Sequence, residues 1–405
     1  MQRLLKISEQ TAWQVISKFI STTSNLVVLG LITRNYGQSG TGVYTLALTY
    51  IIFFYLIADL SLNNYYLTKY SKTSNDTNYL FSIRILWSVF LIILANLLVY
   101  LLPFNTPLFQ ATVLIGSLAI FFSGIATSTS LIFQANLKYQ YFMLATIVGS
   151  LTMLITTFIF VMLKFPTPLL ILGVVVGWTV NNLISLILAN KLYTLIFILP
   201  KLSYLKSMFI ICWPLSATLI LNTIYFRVDS FILTAILGFE KVAIYNLAYS
   251  IFQTTLVIPT FIMNSFYPLM IAQLKLDRDI FNNQIKKAGF LLLALSLIIG
   301  IGTWFFAPTT ISLIAGKEFK QSSEVLQLLT LSIPAFFLSS LFMWTLMTLG
   351  RFKNLLIIYG LGLLVNLVLN LWLIPNLGIR GAIFSTIISE YLILVMQVVI
   401  LWRMR

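Results

Sequence analysis

Long apolar runs recur along the whole chain, and short segments that are polar or contain Pro and Gly separate them. Many runs reach about 18 residues or more, which lets an α-helix cross a bilayer. The pattern predicts twelve membrane spans, with approximate bounds 12–33, 43–66, 79–102, 108–133, 141–163, 168–190, 207–236, 243–271, 288–307, 325–349, 354–374 and 379–402. Helix breaks are predicted where Pro and Gly cluster, at 101–108, 164–169, 306–310 and 374–381.

Composition supports a polytopic α-helical membrane protein and excludes several other classes. Hydrophobic residues make up 60% of the chain and charged residues 9%, whereas a soluble domain carries about 25% charged residues. The absence of His and the single Cys212 argue against a metal site, a His-based triad and a disulfide. No phosphate-binding glycine loop is present, so ATP-driven transport would need another subunit. No cofactor is expected.

The basic residues predict the orientation in the membrane. With the N-terminus inside, 17 Lys and Arg residues, Arg84 among them, fall in inner segments, and 6 fall in outer loops. The outer ones are Arg34, Lys164, Lys241, Lys317, Lys320 and Arg380. The positive-inside rule then places both termini in the cytoplasm. We interpret the net charge of +15 as loops facing anionic lipid, and we expect no nucleic-acid partner.

Two segments half a chain apart resemble each other. "YGQSGTGVYTLAL" at 36–48 and "LGFEKVAIYNLAY" at 237–249 align at an offset of 201 residues, with Gly37/Gly238 and Tyr44/Tyr245 identical. Each segment follows the first predicted span of its half. The repeat predicts two parallel six-helix lobes, 1–200 and 201–405, related by a pseudo-twofold axis along the membrane normal. Such duplication is typical of transporters whose substrate path lies between the lobes.

Polar residues form continuous stripes on the first span of each half. The stripe on span 1 contains Gln10, Gln14, Lys18, Ser21 and Asn25, and the stripe on span 7 contains Ser216, Thr223, Arg227, Ser230 and Thr234. Lipid disfavours such faces, so we interpret both stripes as walls of a polar cavity. For isolated Ser and Thr, and for the GxxxG pattern at Gly173–Gly177, helix packing is the favoured interpretation.

Five charged residues lie well inside predicted spans: Lys18, Asp59, Arg227, Asp229 and Glu390. Each costs roughly 2.5–3.5 kcal/mol or more at the centre of a span, which makes each a functional candidate. Structural pairing is the alternative. Similar predicted depths suggest Lys18–Asp59 and Arg227–Glu390 as pairs.

Several segments, in the right order, carry a resemblance to a known family. They are "LITRNYGQSGTGVYTLALTY" (31–50), "IADLSLNNYYLTKYS" (57–71), "YFRVDSFILTAILGFEKVAIYNLAYSI" (225–251), "GKEFKQSSEVLQLLTLSIP" (316–334) and "LIPNLGIRGAIFSTIISE" (373–390). Together they resemble the polysaccharide-exporter branch of the multidrug/oligosaccharidyl-lipid/polysaccharide (MOP) superfamily. The most similar type is the bacterial flippase for O-antigen or capsule repeat units.

The resemblance implies a function, a location and partners. Such flippases lie in the bacterial inner membrane and move an oligosaccharide linked to undecaprenyl pyrophosphate from the cytoplasmic to the periplasmic leaflet. A polysaccharide polymerase and other assembly proteins are implied partners. Candidates for substrate contact are Lys18, Arg34 and Arg227, with Gln14, Ser21 and Asn25 as further cavity residues. Asp59, Asp229 and Glu390 are candidates for coupling to H⁺ or Na⁺, or for pairing.

Two other functions compete with the flippase. A cation-coupled multidrug antiporter of the same superfamily would explain the excess of acidic over basic residues inside the spans. A membrane glycan polymerase or ligase usually carries a large periplasmic loop, whereas the longest outer loop here is about 308–324.

Overall fold

A computed structural model describes the backbone of residues 2–59, 62–63 and 76–403. It describes their side chains except at 2–11 and at 202, 214, 215, 218, 219, 222 and 275. Some sequence-based expectations lie outside the described residues. They concern the side chain of Gln10, the inner lysines Lys69 and Lys72, and much of the family-like segment 57–71.

The regular elements of the described ranges are helices. In the first part of the chain the α-helices are α1 (Gln2–Asp59), α2 (Asp76–Leu98), α3 (Pro107–Gly116), α4 (Leu118–Ala135), α5 (Gln140–Met162), α6 (Thr167–Leu170) and α7 (Leu172–Asn190). They continue with α8 (Leu202–Leu237), α9 (Phe239–Thr255), α10 (Val257–Leu276), α11 (Arg278–Ala315), α12 (Lys320–Leu329), α13 (Ile333–Thr348), α14 (Phe352–Leu377) and α15 (Ile379–Trp402). Short 3₁₀ turns occupy Val99–Leu101, Lys317–Phe319 and Thr330–Ser332.

Ten helical segments of the described residues are long and apolar enough to cross a membrane. The first, Ala12–Asp59, covers both predicted spans 1 and 2. Helix α8 corresponds to predicted span 7 and is not among the ten. The prediction of an all-helical polytopic membrane protein is therefore confirmed, and the exact count of twelve spans stays a prediction.

One predicted helix break is wrong. The segment 306–310 was expected to end a span, but α11 continues through it to Ala315, with Pro308 inside the helix. Proline inside a membrane helix is tolerated because neighbouring groups satisfy the carbonyl that it leaves free. The helix ends instead at Gly316, whose positive φ of 77° turns the chain.

The two repeated segments share a backbone conformation. Gly37 has φ 61° and ψ −164° within the kink of α1, and Gly238 has φ 83° and ψ 179° between α8 and α9. Residues other than glycine scarcely adopt this region. The tyrosines that follow at equivalent positions, Tyr44 and Tyr245, are both buried. The repeat in sequence is thus also a repeat in local structure.

The chain divides into two compact units, Met1–Ile220 and Leu221–Arg405. The division falls within α8, later than the predicted boundary at 200/201. In the first unit, α5 and α7 approach closely at Gly149 and Gly177, where an added Cβ on Gly177 would lie 2.8 Å from the Gly149 carbonyl oxygen. The packing interpretation of the GxxxG pattern is therefore confirmed.

Candidate functional site

The polar stripe of α1 lies on the surface of the first unit. Gln14, Lys18 and Asn25 are exposed and Ser21 is half-buried. Ser17, on another face of the same helix, is buried and donates a hydrogen bond to the Met143 carbonyl. The stripe therefore points away from the core of its own unit. Arg34, nearer the kink of α1, is also exposed.

Arg84, on α2, is a buried charged residue of the first unit. Its side chain is fully buried and donates to Asp59 Oδ1 at 3.0 Å and to Asn63 Oδ1 at 2.9 Å. A longer contact of 3.4 Å joins it to Ser128 Oγ. Asp59 is only partly buried, since one third of its side chain is exposed. The guanidinium is thus held by groups from three segments of the unit.

Two expectations about this region are wrong. Asp59 forms its ion pair with Arg84, whereas Lys18, the predicted partner, is exposed on α1. Arg84 was expected among the inner cytoplasmic residues. It lies two turns inside α2, in the core of the unit. Without Arg84, the excess of inner over outer Lys and Arg residues is only slightly smaller.

Arg227 lies on α8 in the second unit. Its side chain is half-buried and donates to Gln253 Oε1 on α9 at 3.0 Å. The predicted Arg227–Glu390 pair is wrong. The Glu390 carboxylate accepts hydrogen bonds from Tyr225 and Ser339, at 2.9 and 2.5 Å. Two residues of separation on α8 turn Tyr225 and Arg227 to different faces, so Tyr225 faces Glu390 and Arg227 does not.

Asp229 lies at the centre of a buried polar cluster in the second unit. Its carboxylate accepts from Asn370 at 2.7 Å, from Tyr245 at 2.8 Å and from Thr386 at 2.9 Å. Asn370 also donates to Asn366 Oδ1 at 2.9 Å. The donors to the carboxylate are neutral side chains from α9, α14 and α15. Among the described side chains, no cation offsets a negative charge on this buried carboxylate, so ionising it without a bound cation is costly.

The cluster also contains an unsatisfied acceptor. Asn370 Oδ1 is buried and has no hydrogen-bond partner, and Asn366 Nδ2 is likewise unpaired. Carboxylate, amide and hydroxyl oxygens from Asp229, Asn366, Asn370 and Thr386 therefore meet in one small region. Oxygen atoms are the ligands that hard cations prefer. No group of three or more His, Cys, Asp or Glu side chains that could hold a metal occurs among the described residues.

The hydrogen-bond partners of Asp229 and Glu390 were not predicted from the sequence. Asn366 and Asn370 stand four residues apart in the apolar helix α14, which is a readable signal of a polar face. Tyr225, Tyr245 and Ser339 carry no comparable signal. Many of the Ser and Thr hydroxyls donate to carbonyls of their own helix, as Thr127 does to Ser123 and Ser385 does to Gly381.

These features define a class: an all-helical polytopic membrane protein with charged and polar clusters buried in its units. Comparison with known proteins agrees. The family model "Polysaccharide biosynthesis protein" matches residues 7–274, and the model "MatE" matches residues 214–372. The chain belongs to the polysaccharide biosynthesis protein family, within the MOP superfamily.

Individual relatives support the same placement. The chain is 26% identical over 280 residues to a Shigella dysenteriae protein named "Putative O-antigen transporter", covering 68% of this chain and 69% of that protein. The fold is similar to the lipid II flippase MurJ in an inward closed conformation, with TM-score 0.78, 18% identity and coverage of 96% and 87%. It is also similar to an inward-facing MATE multidrug resistance transporter, with TM-score 0.74, 16% identity and coverage of 95% and 94%.

Proposed function

We propose that this protein is a flippase for an oligosaccharide repeat unit linked to undecaprenyl pyrophosphate. It moves the headgroup from the cytoplasmic to the periplasmic leaflet of the bacterial inner membrane by alternating access. Both termini lie in the cytoplasm, and the product is passed to a polysaccharide polymerase and other assembly proteins. Family membership supports the polysaccharide branch, and the name of the Shigella relative supports O-antigen as the type of polymer.

The observation that carries the proposal is the polar stripe of α1. Gln14, Lys18 and Asn25 are exposed on a helix that is otherwise long and apolar enough to span the membrane. Polar groups exposed along a membrane span need water or a hydrated substrate as their neighbour. A glycan offers many hydroxyls to amide side chains, and a pyrophosphate offers negative charge to Lys18. Arg34 and Arg227 are the further cationic contacts of the proposal.

Deletion of the gene tests this function. Surface glycan should disappear while lipid-linked repeat units accumulate, shielded from periplasmic enzymes on the cytoplasmic leaflet. Re-expression of the unaltered chain should restore the surface polymer. Normal surface glycan in a strain without a second flippase would overturn the proposal. Unchanged glycan together with new drug sensitivity would support the multidrug antiporter instead.

Asp229 supports a second element of the proposal, coupling of transport to H⁺ or Na⁺. Among the described residues, no cationic side chain contacts its buried carboxylate, and an unpaired amide oxygen of Asn370 lies in the same cluster. Flipping in sealed vesicles should depend on an ion gradient in the unaltered protein, and Asp229→Asn should lose that dependence. Equal dependence on the gradient in both proteins would exclude Asp229 as the coupling site.

A further inference from the structure

A groove opens between α10 and α11 in the second unit. Its volume is about 650 Å³, within the roughly 300–1,000 Å³ typical of small-molecule sites. One wall is formed on α10 by residues that include Phe261, Phe266 and Leu269, and the other on α11 by Lys287, Ala288 and Leu291. Leu269 and Leu291 are more than half exposed despite lining the groove. The groove is therefore an open, mainly apolar cleft with room for a hydrocarbon chain.

The surface of α11 shows where this groove lies relative to the bilayer. The helix has 38 residues, or about 57 Å at a rise of about 1.5 Å per residue, so it extends well beyond a hydrocarbon core of about 30 Å. Its first three turns expose Asn283, Lys286 and Lys287. From Phe290 to Phe306 the exposed side chains are apolar. The hydrocarbon region therefore begins near Phe290, and Lys287 lies at the level of the lipid headgroups.

We propose that this groove binds an anionic phospholipid, with one acyl chain between α10 and α11 and the phosphate at Lys287. Charge and shape both point to this ligand. Among the described residues that line the groove, Lys287 is the only charged one. Its aliphatic stem can lie along the apolar wall while the ammonium reaches the interface. A cation beside an apolar cleft is complementary to an anion on a hydrocarbon chain.

The same geometry favours a phospholipid over the lipid-linked substrate as the occupant. A phosphodiester carries one negative charge and needs one cation, whereas a pyrophosphate carries more. The neighbouring Lys286 does not line the groove, because successive residues of a helix point about 100° apart. Among the described residues, a single lysine therefore faces the ligand. Lipid binding within this one unit is independent of the proposed flippase function.

Photo-crosslinking of the purified full-length protein in nanodiscs tests the site. The probe is phosphatidylglycerol with a diazirine on one acyl chain, and crosslinks are mapped to peptides of α10 and α11. Unlabelled phosphatidylglycerol should compete, and phosphatidylcholine should not. Lys287→Gln should reduce crosslinking about fivefold, because this is the contribution of one lysine to binding at an anionic surface. Lys286→Gln is the matched control, because it removes the same charge beside the groove and should leave crosslinking unchanged.

A second pair of variants tests the chain-binding part of the groove. Leu269→Trp should fill it and reduce crosslinking, whereas Ile298→Trp changes an exposed apolar residue outside it and should not. Equal losses of crosslinking in Lys286→Gln and Lys287→Gln would overturn the proposed site, because general surface charge would then explain the binding. Equal competition by phosphatidylcholine, or stronger competition by undecaprenyl pyrophosphate, would overturn the choice of ligand. The lipid competition experiment uses the unaltered protein, so it tests the choice of ligand even if a variant fails to insert into the membrane.

Discussion

At the scale of the residue, the buried charges of this protein are held in unequal ways. Arg84 has a carboxylate partner, whereas Asp229 and Glu390 are held by hydroxyl and amide donors alone among the described side chains. A paired charge is costly to break, whereas a buried acid without a cationic partner can be stabilised by a proton or a bound cation. The first arrangement is typical of structural support, and the second of an ion-coupled site.

The Arg84–Asp59 pair should matter for stability. Asp59→Ala leaves a fully buried guanidinium with only Asn63 and Ser128, which should cost about 3–5 kcal/mol and lower the melting temperature and the abundance of the protein. Exchanging both partners for apolar residues, Asp59→Leu with Arg84→Met, should restore most of the loss. Lys18→Gln is the control and should leave stability unchanged. If Asp59→Ala melts like the unaltered protein, the pair is not structural.

Arg227 should matter for transport more than for folding. Its described partner is the neutral Gln253, so Arg227→Ala leaves no unpaired charge behind and should insert at normal abundance. If the guanidinium holds the pyrophosphate, Arg227→Ala should abolish glycan export. Arg227→Lys should keep part of the activity, because Lys cannot form the bidentate contact. Surface glycan and membrane protein level are measured for each variant.

Gln253→Ala separates this role from a structural one. If Arg227 acts through its contact with Gln253, both alanine variants should lose abundance together. If Arg227 contacts the substrate, Gln253→Ala should retain much of the export at normal protein level. Full export by stable Arg227→Ala protein would exclude both roles.

At the scale of the element, the glycines Gly37 and Gly238 form the turns of the two repeated segments. Gly238 has a positive φ, and open space surrounds the position where a Cβ would stand. Gly238→Ala should therefore destabilise the protein through backbone strain alone, by about 1–3 kcal/mol. Gly302, inside α11, also has open space but ordinary helical φ. Gly302→Ala should be neutral, or stabilising by less than about 1 kcal/mol.

Thermal melting of the two alanine variants measures the difference. Gly238→Ala should melt below the unaltered protein, and Gly302→Ala at or above it. Equal melting temperatures would mean that the positive φ at Gly238 is not maintained in the membrane.

The helices could be predicted from sequence much better than the contacts between them. Span edges follow from the length of apolar runs, a local property, and the ends of α14 and α15 fall close to the predicted ones. The predicted break at Pro308 is wrong because a proline ends a helix only where no neighbouring group satisfies the carbonyl that it leaves free. The partners of Asp229 could not be predicted, because Asn370 is 141 residues away and reaches it only once α14 packs beside α8.

At the scale of the whole molecule, two independent features bear on topology. The repeated turns at Gly37 and Gly238 have the same backbone conformation. Basic residues are concentrated in the segments predicted to be inside, and correcting the place of Arg84 removes only one of the 17. Both features favour an even number of spans between the two turns, with the turns on the same outer side.

Cysteine labelling tests this topology. Ser39 and Glu240 are exposed residues just beyond the two glycines, so Ser39→Cys and Glu240→Cys should both react with a membrane-impermeant maleimide added to intact spheroplasts. The native Cys212 is buried, and a Cys212→Ser background removes its remaining reactivity. Lys353→Cys, in a segment predicted to be inside, is the control and should react only after the membrane is opened. Labelling of only one of the two turns would exclude parallel halves, because an even number of intervening spans must bring both turns to the same face.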